Sequence, residues 1–485
     1  MPVVAGIDSS TQATKVELRD LDTGTVVGAG RAAHPPTAPP VSEQDPERWW
    51  AALCEATAQA LRAAGPAVGP ADVAALAVAG QQHGLVALGQ DLEVLRPAKL
   101  WNDTESAADA DWLVGRLGAE AWVDACGSLP VASFTVTKLS WLHRSEPETF
   151  ARLAHVLLPH DWLNLRLTGE PATDRGDASG TGYWSPAEGR YRLDLLEIVD
   201  REVDWASALP PVLGPWDAAG TLTRAAAEPL GLAAGTPLAA GTGDNMAAAL
   251  GIGLRAGEVA VSVGTSGTVM AVSSRPASDP SGAVAGFADA TGRFLPLVCT
   301  LNAALVTDAV GRLLGVDHEG LDDLALRAPA GSGGLVLVPY LAGERTPNRP
   351  GASGTLSGIR QDVTRDCLAR AAFEGVACGL LDGLDALAAA GVPTEAGRLV
   401  LTGGGARSAA YRHVLAALSG RPVTVPEVAE AVSAGAALQA AVLASGATAD
   451  EVAEGWGLRR GEVEEPGPDA GQAGEVRKRF AEARG

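Results

Sequence analysis

The sequence is poor in basic residues relative to acidic ones, poor in cysteine, and without a long uninterrupted apolar run. Its 37 Lys and Arg residues stand against 58 Asp and Glu residues, which gives a formal net charge of −21. Nucleic acids and anionic membranes are bound through clustered Lys and Arg, so this balance argues against both as partners. We expect small-molecule partners, among which an anionic nucleotide is allowed because backbone amides and helix N-termini act locally.

The five cysteines are scattered and show neither a Cys-X-X-Cys pair nor the His/Cys spacing of a metal site. We expect them to be reduced, buried thiols. The chain opens on a strand-like segment without the pattern of an export signal, and later apolar stretches are interrupted by Gly, Pro and Asp. These absences predict a cytoplasmic protein.

The apolar content of the chain is sufficient for ordinary globular cores. Hydrophobic residues make up 47% of the sequence and charged residues 20%, as in folded soluble domains. A chain of 485 residues is too long for one comfortable core, so two or three domains are expected. A cleft between domains is then available for ligands.

The same order of elements occurs twice along the chain. Near the N-terminus two strands flank the turn SSTQAT, a third strand follows, and a helix begins at Pro46 with Asp45 as its N-cap. From Glu258 the sequence again predicts a strand, a Thr-Ser-Gly turn and a second strand, with a helical stretch from Leu301. Strands alternate with helices throughout, which predicts an α/β fold with domains over residues 1–255 and 256–485. The acidic stretch near the C-terminus is expected to be a loop followed by a short charged helix.

Each half carries a predicted hairpin whose tip is rich in hydroxyl groups. The first tip and its flanks contain Asp8, Ser9, Ser10, Thr11, Gln12 and Lys15, and the second contains Gly264, Thr265, Ser266, Gly267 and Thr268. Glycine lets backbone amides approach a phosphate, hydroxyls donate hydrogen bonds to it, and a carboxylate can hold hydrated Mg²⁺. Either hairpin alone is explained as an ordinary turn, whereas two in corresponding positions favour phosphate binding.

A third glycine-rich turn and one carboxylate complete the candidate phosphate chemistry. Gly403, Gly404 and Gly405, followed by Ala406, connect a predicted strand to a helix, which suits a nucleotide or simply tight packing; no Walker A motif is present. Asp244 follows a Gly-Thr-Gly turn at a helix start. Phosphoryl transfer needs a carboxylate that accepts the proton of the attacking hydroxyl, and the alternative for Asp244 is a plain N-cap.

Polar side chains also follow two strands of the first half. They are Gln81, Gln82 and His83 in GQQHG, and Trp101, Asn102, Asp103 and Glu105 in LWNDTES. Amides and carboxylates bind adjacent hydroxyls of a polyol, and a Trp face covers its C–H surface. Singly, His83 and Trp101 are equally well explained by core packing. As a group these residues resemble a sugar site.

These blocks, in this order, resemble the FGGY family of carbohydrate kinases, and within it the bacterial xylulokinase branch. The similarity runs from Gly6 to about Leu443 and includes GID, GQQHG, LRPAKLWND, FTVTKLSWL, LLPHDWLNLRLTGE, TDRGDASGT, GDNMAAALG, SVGTSGTV, PYLAGERTP and LTGGGARS. The resemblance implies two ribonuclease-H-like domains, as in actin, hexokinase and Hsp70, that close on a sugar and ATP. Where that branch has Gln-Met-His, this chain has Gln81-Gln82-His83, a change that bears on substrate choice.

The resemblance also implies residue roles. Asp244 would be the general base and Asp8 would lie near the metal. Sugar contacts would come from Gln82, His83, Trp101, Asn102, Asp103 and Asn245; phosphate contacts from Ser10, Thr11, Gln12, Lys15, Gly264, Thr265 and Ser266; adenosine contacts from Gly403 to Gly405 and Ala406.

The expected function is ATP- and Mg²⁺-dependent phosphorylation of a ketopentose, with D-xylulose as the first choice. Ribulose, glycerol and gluconate are the alternative substrates within the same reaction class. A non-catalytic nucleotide switch or sugar sensor built on the same fold is the alternative of another class. The sequence leaves the oligomeric state open, a homodimer included.

Overall fold

Helices and strands cover most of the chain in the computed structural model, which describes residues 1–485. The helices are α1 Pro46–Ala64, α2 Ala107–Leu117, α3 Ala119–Cys126, α4 Thr135–Ser145, α5 Pro147–Phe150, α6 Pro159–Thr168, α7 Arg175–Ala178, α8 Leu193–Leu196, α9 Trp205–Ala208, α10 Arg224–Leu230, α11 Asp244–Gly251, α12 Ala304–Leu314, α13 His318–Arg327, α14 Arg365–Ala389, α15 Ala409–Ser419, α16 Ala431–Ser445, α17 Ala449–Gly455 and α18 Ala473–Arg484.

The strands form two large sheets and several short two-stranded ribbons. They are β1 Val3–Ser9, β2 Ala13–Asp20, β3 Val26–Ala33, β4 Glu43–Gln44, β5 Val73–Gly80, β6 Val86–Leu88, β7 Ala98–Lys99, β8 His155–Leu157, β9 Thr173–Asp174, β10 Trp184–Ser185, β11 Arg190–Tyr191, β12 Val212–Leu213, β13 Ala218–Thr221, β14 Pro237–Ala239, β15 Thr242–Gly243, β16 Val259–Val263, β17 Gly267–Ala271, β18 Ala285–Ala288, β19 Phe294–Thr300, β20 Val336–Val338, β21 Thr355–Ser357, β22 Leu399–Thr402, β23 Val423–Pro426 and β24 Gly461–Glu464.

The two large sheets repeat one plan. The first has the order β13-β14-β5-β1-β2-β3, with β15 paired to β5, and the second has the order β18-β19-β17-β16-β22-β23-β24. In each, an antiparallel hairpin, β1-β2 or β16-β17, has its first strand paired in parallel with a later strand, β5 or β22. The predicted duplication of the chain is therefore present in the pairing of its strands.

Local signals fix the ends of the elements. Helix α1 begins at Pro46, where the Asp45 carboxylate accepts a hydrogen bond from the Glu47 amide at 3.0 Å, and it ends at Gly65, whose φ of 69° suits glycine. Both the helix start and its N-cap match the prediction from sequence. Along β1, alternate side chains face opposite sides of the sheet, so Val3 and Ile7 pack with α1 while Val4 faces the other core.

Helix α16 belongs to the late part of the chain but packs on the first sheet. It lies against β1, β5 and α11, and its buried alanines and Leu438 share one core with Val4 of the first sheet and Ala260 of the second. The contact is close because glycines remove side chains from it. A Cβ at Gly6 would lie 2.0 Å from the Ser433 carbonyl oxygen. Helix α16 thus joins the two halves through their shared core.

A close approach of α11 and α16 at Gly435 gives a stability prediction. A Cβ at Gly435 would lie 1.9 Å from the carbonyl oxygen of Ala247, so we expect Gly435→Ala to lower the free energy of unfolding by about 2–3 kcal/mol through overpacking. The matched control is Gly379→Ala in α14, where a Cβ meets no atom within 4 Å; helix propensity should stabilise that variant by about 0.5–1 kcal/mol. Urea denaturation of both variants measures the difference, and equal midpoints would contradict the packing argument.

The C-terminal region and the cysteines differ in part from expectation. The predicted charged helix is present as α18, but the first residues of the acidic stretch form the edge strand β24 because they pair with β23. The stretch after β23 forms the helix α16. All five cysteines are free, as predicted, but only Cys126 and Cys378 are fully buried.

No single helix is long and apolar enough to cross a membrane. Helices α16 and α17 reach that length and apolar content only when taken together, and a bend of 115° separates them.

Candidate active site

A cavity of about 320 Å³ lies where residues of both halves meet. The first half contributes polar and aromatic groups, and the second contributes the β16-β17 turn and the walls around β18 and β19. The lining residues are Thr11, Gln82, His83, Trp101, Ser128, Leu129, Ser133, Phe134, Asp244, Asn245, Ser266, Thr268, Gly282, Ala283, Val284, Ala285, Phe287, Leu297, Cys299, Thr300, Leu301 and Arg345. Groups predicted from GQQHG, the Asp244 turn and both hairpins thus line one space.

Asp244 is a half-buried carboxylate at the first position of α11. Its Oδ1 accepts hydrogen bonds from the Asn245 backbone amide at 2.8 Å and from the Asn245 side-chain amide at 3.1 Å. Burial and the nearby negative charge of Asp8 raise the pKa of Asp244 to about 7. The carboxyl group is therefore fixed in position and exchanges its proton near neutral pH.

Asp8 is the residue before the end of β1 and lies close to Asp244. Burial raises the pKa of Asp8 to about 6, against the opposing effect of Lys15, whose Nζ lies 3.5 Å from Asp8 Oδ2. Lys15 makes its shorter ion pair with Glu430, at 2.6 Å. Asp8 Oδ1 is buried and has no hydrogen-bond partner. An oxygen of this kind is free to take a ligand.

Gln82 is held on the other side of Asn245. The Asn245 Nδ2 atom donates to Gln82 Oε1 at 3.0 Å, and Gln82 Nε2 is buried without a partner. The amide is thus fixed through its oxygen and keeps a free donor. Gly243 allows this packing, since a Cβ there would lie 2.6 Å from Gln82 Cγ.

His83 is a neutral imidazole in an unusual backbone conformation. Its φ of 69° lies in the left-handed region, which residues other than glycine adopt rarely and often at functional sites. The Nδ1 atom lies 2.7 Å from the Gly180 carbonyl oxygen, so Nδ1 carries the proton and Nε2 is an acceptor. Burial, with a smaller contribution from the Lys138 charge, lowers the pKa of His83 to about 3. The rings of Phe134 and Phe287 pack against the imidazole in tilted orientations, with centroid distances of 5.0 and 5.5 Å.

The residues of LWNDTES divide between the cavity and the interior. Trp101 lines the cavity, is 43% exposed, and donates from Nε1 to Thr11 Oγ1 at 2.8 Å. Asp103, by contrast, does not reach the cavity: it is fully buried, 2.9 Å from Lys99 Nζ and 2.9 Å from the Ser42 amide. Glu105 pairs with the same Lys99 at 2.5 Å. The carboxylates of Asp103 and Glu105 therefore neutralise the charge of the buried Lys99. Asn102 is also absent from the cavity lining.

A second cavity, of about 600 Å³, lies wholly in the second half. It is lined by Val263, Gly264, Thr265, Ala304, Thr307, Asp308, His318, Glu319, Leu321, Asp322, Phe373, Gly404, Gly405, Arg407, Ser408 and Tyr411. Gly264 and Thr265 of the β16-β17 turn line this cavity, whereas Ser266 and Thr268 of the same turn line the first. The turn is therefore a wall shared by both spaces.

Several predicted phosphate and adenosine residues lie outside both linings. The Ser10 hydroxyl donates a hydrogen bond to the Ala13 carbonyl oxygen at 2.9 Å within the hairpin, and Gln12 is exposed. Gly403 has a φ of 80° and lies against the Val263 backbone, while Ala406 is buried behind the lining. In the glycine turn, the two middle residues face the space and the outer two shape the turn.

Sequence reasoning missed much of the cavity wall, including four residues with polar, aromatic or charged side chains, and one supporting contact. Ser133, Phe134, Cys299 and Arg345 line the first cavity; Phe134 and Arg345 fall in the blocks FTVTKLSWL and PYLAGERTP, which were singled out without roles. Asp174 fixes the strand before Asp244, since its Oδ2 accepts from Thr242 Oγ1 at 2.7 Å. Only the spatial arrangement brings these residues together.

Comparisons with known proteins show which family the chain is similar to. Residues 3–251 match the N-terminal domain, and residues 259–444 the C-terminal domain, of the FGGY family of carbohydrate kinases. A xylulose kinase from Streptomyces coelicolor is 47% identical over 463 residues, which cover 95% of this chain and 92% of that protein.

Solved structures show the same fold. The xylulose kinase from Bifidobacterium adolescentis is 40% identical with a TM-score of 0.85, over 100% of this chain and 99% of that one. The xylulose kinase from Rhodospirillum rubrum is 29% identical with a TM-score of 0.89, over 99% and 98% of the two chains. The predicted two-domain α/β fold and the resemblance drawn from the sequence blocks are confirmed.

Proposed function

The chain belongs to the FGGY family of carbohydrate kinases, and from this membership we propose that it transfers the γ-phosphate of ATP to the terminal hydroxyl of a ketopentose. D-xylulose is the first choice of substrate, because proteins similar over nearly the whole chain are named for it. A ribulose, glycerol or gluconate kinase is the alternative within the family.

One observation carries the proposal. The turn between β16 and β17 separates a nucleotide-sized cavity from a smaller polar one, and it lines both. A nucleotide seated against Gly404 and Gly405 would direct its phosphates along Gly264 and Thr265 towards the smaller cavity, where Asp244 lies. A nucleotide switch without a sugar substrate has no need for the second cavity.

The residues of the smaller cavity divide the work of phosphoryl transfer. Asp244, as general base, would take the proton of the attacking hydroxyl, and the two hydrogen bonds from Asn245 hold its carboxylate for that purpose. The Nε2 atom of His83 would accept a hydrogen bond from a sugar hydroxyl, and the free Nε2 donor of Gln82 would bind a sugar oxygen. Closure of the two halves around the substrates would exclude water and protect ATP from hydrolysis.

Asp8 suits a magnesium ion. Its buried, unpartnered Oδ1 is a hard oxygen ligand beside the base, and Mg²⁺ is commonly held by one or two carboxylates while it keeps several waters. When bound, the ion would neutralise charge on the phosphate oxygens.

A coupled assay of ADP release tests the proposal directly. With D-xylulose, D-ribulose, glycerol and gluconate offered separately, we expect the largest kcat/KM with D-xylulose and ADP formation that depends on sugar. Equal, sugar-independent ADP formation in all four reactions would refute kinase activity, and a clear preference for another sugar would correct the substrate alone.

The assignment of the base predicts the pH profile. Since the pKa of Asp244 is raised to about 7, the carboxyl is protonated and inactive at lower pH. We therefore expect kcat/KM for the sugar to fall about tenfold per pH unit below pH 7, and more steeply below pH 6, where Asp8 also becomes protonated. Initial rates from pH 5 to 8.5 at constant ionic strength measure the profile, and a flat profile across pH 7 would contradict the role of Asp244.

The division into domains 1–255 and 256–485 and a cytoplasmic location belong to the same proposal. The first rests on the corresponding hairpins that head each half, and the second on the soluble sugar and nucleotide that the reaction needs.

A further inference from the structure

Lys138 is a fully buried lysine without a carboxylate partner. The other fully buried lysine, Lys99, lies within 3.1 Å of three carboxylates, those of Glu43, Asp103 and Glu105. A buried ammonium group is costly unless other groups replace its water. The partners of Lys138 therefore show what it is for.

All three donors of the Lys138 ammonium group go to one short segment. Its Nζ atom donates to the carbonyl oxygen of Ala132 at 3.0 Å, to that of Ser133, and to that of Phe134 at 3.4 Å. Three consecutive carbonyl groups thus converge on one cation. The three residues have no strand pairing. Ser106 Oγ donates to the Ala132 carbonyl oxygen at 3.0 Å and Thr137 Oγ1 donates to that of Phe134 at 2.7 Å. The ammonium group is the charged donor that joins all three carbonyls.

The segment 132–134 is part of the wall of the sugar cavity. Ser133 and Phe134 line it, and the Phe134 ring lies 5.0 Å from the ring of His83. The Ser133 hydroxyl is buried and has no hydrogen-bond partner. A hydroxyl left unpaired at the wall of a polar cavity is available to a hydroxyl of the substrate.

We infer that Lys138 is a positioning residue for sugar binding, which holds the segment 132–134 so that Ser133 contacts the sugar and Phe134 supports His83. This inference rests on the proposed function of the cavity. It adds Ser133 to the sugar-contacting residues and gives a role to the lysine of FTVTKLSWL.

The charge of Lys138 makes the role sensitive to pH. Burial lowers the pKa of Lys138 to about 7; the facing charges are Asp103, which raises it, and Lys99, which lowers it further, while neutral His83 adds none. Above neutral pH the neutral amine keeps only two N–H donors for the three carbonyl oxygens, and each donates more weakly than in the ammonium form. The segment should then be held less firmly.

The test uses Lys138→Met, which keeps the length of the side chain and removes the charge and donors. We expect KM for D-xylulose to rise about tenfold or more, because small displacements in a binding site are costly, while KM for ATP changes less than about twofold. Lys478→Met is the matched control: Lys478 is largely exposed and its nearest carboxylate is 4.0 Å away. Unchanged KM for the sugar in a folded Lys138→Met protein would overturn the inference.

Two further variants keep the test decisive if Lys138→Met does not fold. Ser133→Ala removes only the unpaired hydroxyl, so KM for D-xylulose should rise about fivefold; no change would overturn the inference. Lys138→Arg keeps its charge at all pH values tested, so its KM for the sugar should be flat where that of the wild type rises above about pH 7. Parallel profiles would also overturn it. A wild-type protein that phosphorylates none of the sugars would instead refute the proposed function.

Discussion

Replacement of Asp244 by Asn is expected to lower kcat about 10³-fold, because the proton of the attacking hydroxyl loses its acceptor. The amide is nearly isosteric and its oxygen can still accept the hydrogen bonds from Asn245. Affinity for ATP should therefore stay close to that of the wild type. Sugar-dependent ADP formation measures the first effect, and calorimetric titration with a non-hydrolysable ATP analogue measures the second.

The matched control is Asp22→Asn, which removes the same charge at an exposed turn and should leave kcat unchanged. Turnover within about tenfold of the wild type in Asp244→Asn would remove this residue from the role of general base. Loss of both turnover and nucleotide binding would point to a structural role.

The same variant has an expected effect on stability. The pKa of Asp244 is about 7 in the folded protein against an ordinary value of 3.8, so the folded state binds this proton more tightly than the unfolded state does. The contribution of the protonated Asp244 carboxyl to the free energy of unfolding is fully present below about pH 4, and it is lost as pH rises through 7. Asp244→Asn should therefore melt at a higher temperature than the wild type at pH 8, and the difference should shrink towards pH 5.

Replacement of Gly404 by Val is expected to raise KM for ATP about a hundredfold while the protein stays folded. Gly404 lines the larger cavity, and a Cβ there meets no protein atom within 4 Å. The added side chain therefore occupies space meant for the nucleotide without strain in the chain. Initial rates at varied ATP and saturating sugar measure the change.

Gly474→Val is the control for this variant, because a Cβ at Gly474 also meets no atom within 4 Å and the residue lies in α18, outside both cavities. Its KM for ATP should equal that of the wild type. Normal ATP kinetics in Gly404→Val would mean that the nucleotide does not lie in the larger cavity.

Local signals allowed much of the fold to be predicted. The hairpin β1-β2, the strand β5, the helix α1 with its Asp45 cap and the helix start at Asp244 all follow from alternation, capping residues and turn chemistry within a few neighbouring positions. The second hairpin was found by its similarity to the first. These features depend on short-range interactions, which the sequence displays directly.

The remainder depends on contacts between distant positions. Asp103 has the chemistry of a sugar ligand, but its carboxylate forms an ion pair with the buried Lys99, four residues earlier, and does not reach the cavity. In the sequence, nothing distinguishes Ser133 from other loop serines. Its position in the cavity wall becomes visible only with the hydrogen bonds from Lys138 Nζ to the carbonyl oxygens of Ala132 and Ser133. No local pattern states which of two competing partners a side chain will have, so these residues could be assigned only from the structure.

The position of α16 has a consequence for the order in which the protein is made. The face of β1 that contains Val4 and Gly6 is covered by residues that leave the ribosome only after position 430. A nascent first half therefore keeps an apolar face uncovered until nearly the whole chain has been translated. The halves are written one after the other in the gene, but they can reach their final packing only together.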